Sequence, residues 1–200
     1  QVGVTFLFAP AYHPAMKHVV PVRKTIGFRT VFNFLGPLCN PARTRRQVVG
    51  VSDAKMARLM AEALAAMGSQ RALLAHGDDG LDELSICGPS RLWHVEGGAV
   101  TEATIAPEDV GLGRHAADAI AGGDVAHNAA AFEGVLRGTD LGAKADHILL
   151  NAAAGLFVGG AASDLRDGVN KARQTIQSGE AWRRFEAYRS AAVQLAGAAS

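Results

Sequence analysis

The sequence predicts an α/β protein, a parallel sheet covered by helices, and three observations carry that expectation. A strand-like run, Val48 to Val51, is followed by an amphipathic helical pattern and then by a second strand-like run, Arg71 to Ala75. Such a strand–helix–strand unit buries its apolar faces as a parallel pair with the helix laid across it. Two short β-prone runs between Ser85 and Val100 meet at Gly97-Gly98, and the last third of the chain carries long stretches of helical pattern. Two hundred residues with 48% hydrophobic content are enough to bury one sizeable core.

Taken in chain order, Val2 to Phe8 is apolar with β-branched and aromatic members and reads as a buried strand, ended by Ala9-Pro10. His13-Pro14 opens a short helix, since proline suits a first helical turn, and Pro21 is expected to end or kink it. Val22 to Ile26 forms a further turn, and Thr30 to Leu35 is another short helical candidate closed by Gly36-Pro37. After Val48–Val51, Ser52-Asp53 starts a helix; Met56, Met60, Ala63, Leu64 and Met67 make its apolar face, and Gly68 caps its end. Asp124 caps a helix bearing Val125, Ala129, Phe132 and Leu136 on one face. Helices follow over 144–157, 165–178 and 180–195, and in the last of these Phe185, Ala192 and Leu195 form a stripe expected to pack on the core.

Charge and cysteine usage exclude several classes of function. Twenty basic against nineteen acidic residues leave a formal charge of +1, and the basic residues gather only in the short cluster Arg43, Arg45 and Arg46. A binder of nucleic acid or of a membrane surface would show a basic face or run. Cys39 and Cys87 are far apart and lie in no CxxC or Cys/His spacing, so neither a disulfide framework nor a zinc site is expected, and a reducing cytoplasm is the natural setting. The longest apolar stretch, Ala152 to Ala162, is interrupted by Gly155, Gly159 and Gly160 and falls short of a membrane span. The chain opens at Gln1 and runs straight into Val2–Phe8, which reads as a start inside or just before a strand, with an upstream part cut or missing.

Chemistry concentrates at 76–83, His-Gly-Asp-Asp-Gly-Leu-Asp-Glu, directly after the predicted strand Arg71–Ala75. Open α/β sheets bind ligands at the carboxyl ends of their strands. Four carboxylates within six positions repel one another unless a cation joins them, and magnesium prefers such oxygen ligands, bridging one or two carboxylates to substrate phosphates. A solvated acidic turn suits the same residues. Arg23 could clamp a carboxylate through two parallel hydrogen bonds, or be an ordinary surface arginine. Gly122-Gly123-Asp124 precedes a helix and could hold phosphate, but the Asp124 carboxylate would repel an anion, so capping is the better reading. No nucleophile elbow, Walker loop or dinucleotide fingerprint occurs, and Ser52 and Ser85 show no base partner, so no residue is assigned as nucleophile or as general acid or base.

These segments, taken together, resemble the anthranilate phosphoribosyltransferases. Phe8-Ala9-Pro10 and His13-Pro14-Ala15-Met16-Lys17-His18 are similar to that family's acceptor-side segment, and 23–43, RKTIGFRTVFNFLGPLCNPAR, is closely similar to its best-known signature. HGDDGLDE at 76–83, Gly122-Gly123-Asp124 and Leu150-Asn151-Ala152-Ala153 follow in the family's order. The resemblance implies a nucleoside phosphorylase/phosphoribosyltransferase-like fold: a sheet covered by helices, with part of a small helical lobe. On it, residues 1–13 would start the α/β lobe, 14–36 would belong to the helical lobe, and 37–200 would complete the α/β lobe. It implies transfer of a phosphoribosyl group from 5-phosphoribosyl 1-diphosphate to the amino group of anthranilate, in tryptophan biosynthesis. Arg23 would hold the anthranilate carboxylate, Pro10, His13 and Met16 would line the approach of its ring, and Asp82 and Glu83 would hold Mg2+ against the diphosphate. The family usually forms homodimers.

The chain departs from that pattern in one respect. The family's glycine-rich diphosphate-binding loop and its second, asparagine-containing basic segment occur nowhere in these residues, so the 200 residues alone are expected to be inactive or nearly so. The rivals are a pyrimidine nucleoside phosphorylase-like enzyme, against which the RKTIGFRTVFNFLGP run argues, and a non-catalytic binding module of the same fold, against which Arg23, Asp82 and Glu83 argue.

Overall fold

The computed structural model describes residues 2–27 and 34–198, apart from the side chains of Arg23, Lys24 and Ala198. The chain divides into two units, one holding residues up to Arg43 together with Arg184 onward, the other running from Thr44 to Arg183.

In the second unit, Arg46–Gly50 (β1), Arg71–Gly77 (β2), Ser90–Glu96 (β3) and Ala99–Ile105 (β4) form one sheet in the order β1-β2-β3-β4. β1 and β2 run parallel, with Val48 opposite Leu73, and Ala54–Ala66 (α3) joins them as the sequence pattern predicts. β3 and β4 are antiparallel to their neighbours, so the sheet is mixed rather than parallel. Gly97 and Gly98 both take positive φ, 59° and 81°, a two-residue turn whose twist suits a hairpin and returns β4 antiparallel to β3; the reversal between β2 and β3 comes from the connection 78–89, which brings the chain back beside β2 with no crossover helix.

Ala72, Leu73, Leu74 and Ala75 of β2 are all buried, the unbroken apolar run that a strand covered on both faces requires. Leu73 and Ala75 meet Leu84, Ile86 and Leu92 in the main core, together with residues of Ala143–Gly159 (α5) and Leu165–Gln177 (α6). α3 packs on β2 and β3, and its buried residues are Ala57, Met60, Ala61 and Leu64. That face is turned from the predicted one: Met67 is exposed because it already lies past the last helical residue. Asp53 caps the start of α3 through Lys55 N–H, and Gly68, at φ 81°, follows its end as the sequence indicates.

The stripe expected to pack on the core, in the last helix, is open at Ala192 and Leu195, and the apolar face of the helix after Asp124 is largely open as well. In Val125–Leu136 (α4) only Val135 is buried, while Val125 is 86% exposed. In Glu180–Ala198 (α7) Ala192 and Leu195 are exposed, and the buried aromatic is Trp182 in the first turn, under the Arg137 guanidinium. Helical spacing says which residues share a face, not what covers it.

The first unit differs most from the sequence reading. Val2–Phe8 forms no strand; Phe6 is 72% exposed, and among the described residues no ladder partner pairs with this segment. An apolar run becomes a strand only where another strand takes up its backbone hydrogen bonds. Ala9–Tyr12 (α1) is a single helical turn, with Pro10 in its first turn. Met16–Ile26 (α2) continues past Pro21, so the proline does not end the helix; its carbonyl accepts a hydrogen bond from the Thr25 hydroxyl at 3.2 Å. Of the predicted helix Thr30–Leu35, residues 30–33 lie outside the described residues. Gly36-Pro37 begins a 3-10 turn, Gly36–Cys39, rather than closing a helix.

Candidate functional site

Two groups of predicted site residues have to be placed, one in each unit. In the first unit, α1, the turn at His13-Pro14 and the start of α2 put Pro10, His13 and Met16 along one apolar cleft of about 630 Å3. Val20 and Leu35 complete its apolar wall. The structure therefore brings three of the four predicted acceptor residues together. Arg23 lies on α2, two turns after Met16, and its side chain is outside the described residues.

In the second unit the site grows from the carboxyl ends of the parallel pair. Val51 N–H bonds the Ala75 carbonyl at 2.9 Å and His76 Nδ1 lies 2.7 Å from the Val51 carbonyl, tying the two strand ends together. The chain then enters the loop Gly77–Ser85. Gly77 N–H donates to the Leu81 carbonyl at 2.8 Å, and Asp78 N–H to the Pro89 carbonyl at 2.9 Å, so the loop is tied back on itself.

Three carboxylates of this loop have different surroundings. Asp79 is occupied internally: one oxygen accepts from Leu81 N–H at 3.2 Å, the other from the Ser85 hydroxyl at 2.6 Å. Ser85 thus has a carboxylate partner that the sequence did not reveal. Ser85 is buried, and its oxygen accepts from Cys87 N–H, which makes the pair a structural bolt of the loop rather than a nucleophile and base. Asp82 is exposed, and among the described residues nothing bonds its carboxylate. Its backbone is pressed against β1, and a Cβ at Gly50 would overlap the Asp82 carbonyl oxygen. Glycine at 50 is needed for that close approach.

Glu83 is held from α5. His147 Nε2 lies 3.0 Å from Glu83 Oε2, and this imidazole holds the Glu83 carboxyl below the ordinary glutamate range, against the upward push of partial burial. One turn further along α5, Asn151 grips the backbone of the next residue: its oxygen accepts from Leu84 N–H at 3.1 Å and its amide donates to the Leu84 carbonyl at 2.9 Å. Asn151 also donates to the His147 carbonyl at 3.1 Å. Neither residue was assigned a role from the sequence. A signal for Asn151 was there, a polar residue inside the apolar helical run 148–154, because an amide taken even partly out of water demands partners.

Among the described residues no three of His, Cys, Asp and Glu converge into a closed cage for a metal ion. The donor set at the loop suits magnesium rather than zinc: adjacent oxygen ligands at a strand's carboxyl end, with no thiolate or imidazole cluster. At Gly122-Gly123-Asp124 the capping reading holds. Asp124 accepts from His127 N–H at 2.8 Å, and Asn128 bonds both the N–H and the carbonyl of Gly123, which leaves no open anion site.

Comparison with known proteins adds a family and named relatives. The model of the "Glycosyl transferase family, a/b domain" matches residues 1–182. The chain is 48% identical over 197 residues to an anthranilate phosphoribosyltransferase of Rubrobacter xylanophilus, covering 98% of this chain and 58% of that protein. It is similar to the crystal structure of the Thermus thermophilus anthranilate phosphoribosyltransferase, with a TM-score of 0.87 and 43% identity over 94% of this chain and 55% of that one. The Saccharomyces cerevisiae anthranilate phosphoribosyltransferase in complex with PRPP and Mg gives a TM-score of 0.79 at 31% identity, over 88% of this chain and 51% of that one. The chain spans a little over half the length of these relatives.

Proposed function

The chain belongs to the glycosyl transferase family by its α/β domain, and from that premise we propose that the protein transfers the phosphoribosyl group of 5-phosphoribosyl 1-diphosphate to the amino group of anthranilate, with release of diphosphate, in tryptophan biosynthesis. The observation that carries the proposal is the Asp82–Glu83 pair at the carboxyl end of β2, one carboxylate unpartnered among the described residues and the other held through a single oxygen. The printed names of the relatives support the substrates. On this reading residues 14–36 belong to a helical lobe and 37–200 to the α/β lobe of a homodimer working in the cytoplasm. No helix among the described residues is long and apolar enough to cross a membrane.

Breaking the bond between the sugar carbon and the diphosphate oxygen leaves positive charge on the ribose and negative charge on the leaving group, so catalysis is mainly positioning and charge stabilisation. Arg23 holds the anthranilate carboxylate by two parallel hydrogen bonds and so aims a weakly nucleophilic amine. Pro10, His13 and Met16 line the apolar cleft that receives the ring. Asp82 and Glu83 would hold Mg2+, which when bound neutralises charge on the diphosphate. No covalent nucleophile is required, and none is assigned.

The test is the loss of anthranilate fluorescence when phosphoribosyl diphosphate and Mg2+ are added to the full-length protein. A decay that needs all three components is expected. Unchanged fluorescence, with the protein folded by circular dichroism, would overturn the assignment.

A further inference from the structure

We propose that His147 is the positioning residue of the carboxylate pair: from α5 it fixes one oxygen of Glu83 and so holds the side chain with its other oxygen free for a divalent cation. The inference rests on the reading of Asp82 and Glu83 as metal ligands given above. Three observations carry it.

The first is the asymmetry within the pair. Asp82 has a short side chain, and its backbone is fixed by the close approach to Gly50. Glu83 has one more rotatable bond and a side chain 52% exposed, so its backbone alone leaves the carboxylate wandering among rotamers. The contact to His147 Nε2 at 3.0 Å removes that freedom.

The second is where the imidazole comes from. His147 and Asn151 stand one turn apart on α5, and Asn151 bonds both the N–H and the carbonyl of Leu84, the residue after Glu83. The helix that holds the Glu83 side chain thus also holds the backbone beside it. Side chain and main chain are referenced to one rigid element, the condition for a ligand held in a productive geometry.

The third is the far side of the ring. His147 Nδ1 is buried, with no hydrogen-bond partner among the described residues. A buried polar atom without a partner is a cost that an apolar side chain of similar size would avoid, so packing does not explain a histidine here. With no acceptor near Nδ1, the tautomer that avoids an orphaned N–H carries its proton on Nε2, where it donates to Glu83. The ring is explained by its exposed edge, not by its buried one. Groups that hydrogen-bond a metal's ligands commonly set its affinity by roughly 10- to 100-fold.

The experiment titrates Mn2+ into the full-length protein and follows free Mn2+ by electron paramagnetic resonance, beside the melting temperature without metal. Wild type, His147→Ala, His147→Gln and Asp82→Ala are compared. His147→Ala is expected to weaken Mn2+ binding roughly 10-fold or more with the metal-free melting temperature unchanged. His147→Gln, whose amide can donate to Glu83, is expected to recover most of the loss. Unchanged binding in His147→Ala beside weakened binding in Asp82→Ala overturns the role of His147 alone. A loss that glutamine does not recover, accompanied by a lower melting temperature, also overturns it and leaves His147 a packing residue. Mn2+ binding that is absent in wild type, or insensitive to Asp82→Ala, overturns the metal reading and this inference with it.

Discussion

Asn151 is an amide placed among apolar helical residues, and its three hydrogen bonds account for it. Leu84 is fully buried, so Asn151→Ala would strand its N–H and carbonyl with no partner. At roughly 1–3 kcal/mol for each orphaned group, the substitution is expected to cost about 2–4 kcal/mol in urea unfolding. A loss under half a kilocalorie would show that water replaces the amide. Arg23 calls for a kinetic test. Arg23→Ala is expected to raise the KM for anthranilate by roughly 10- to 100-fold, the worth of a charge-assisted pair, while the KM for phosphoribosyl diphosphate moves little; equal rises would remove the clamp. Asp82→Ala is expected to shift the Mg2+ dependence of turnover to higher concentration, and an unmoved titration would count against its role as a ligand. Of these residues Arg23 and Asp82 stood out in the sequence through the family resemblance, and Asp82 also through its place in an acidic run. His147 and Gly50 act through neighbours distant in the chain, which a linear pattern does not reveal; Asn151 showed only as a polar residue in an apolar run, without its partner.

At the scale of elements, the strand–helix–strand unit was legible because its signals are local: a capping aspartate, a helical apolar face and a glycine past the end. The hairpin at Gly97-Gly98 was legible, but the return of β3 antiparallel to β2 across 78–89 was not, and that return makes a predicted parallel sheet a mixed one. Val2–Phe8 and the stripe on α7 misled for a common reason: apolar spacing states a capacity for burial, and only a partner converts it. Pro21, expected to end or kink its helix, does not end it: the missing hydrogen bond of one proline does not stop α2, an 11-residue helix. The junction of β1 with the acidic loop gives the prediction proper to this scale. Gly50→Ala would drive a methyl group into the Asp82 carbonyl, so the loop must move or the strand must yield. A loss of about 1–3 kcal/mol is expected, as for other overpacked sites, together with weaker Mn2+ binding. A variant of wild-type stability and affinity would show that the loop relaxes freely.

For the molecule as a whole, the near-balanced formal charge of +1 hides carboxylates that are individually favoured as anions. Lys171 and the backbone N–H of Ser163 hold Asp167 below the ordinary aspartate range, and hydrogen bonds from the backbone and from Arg114 do the same for Glu108. A carboxylate whose folded value is depressed contributes stability above its unfolded value and loses it as the pH falls through the folded one. The melting temperature is therefore expected to fall between about pH 5 and about pH 2, and less steeply in Asp167→Asn. Both groups are exposed, so high salt is expected to shrink the difference. An identical acid profile in the variant would exclude Asp167 as a contributor. The loop at the carboxyl ends of β1 and β2 has a different kind of consequence. It is anchored by main-chain groups, by Asp79 and by Asn151, while the Asp82 side chain bears no part of that framework. Position 82 is thus a place where side-chain chemistry can be exchanged without unfastening the loop: a substitution there reads out the ligand and leaves the scaffold as it was.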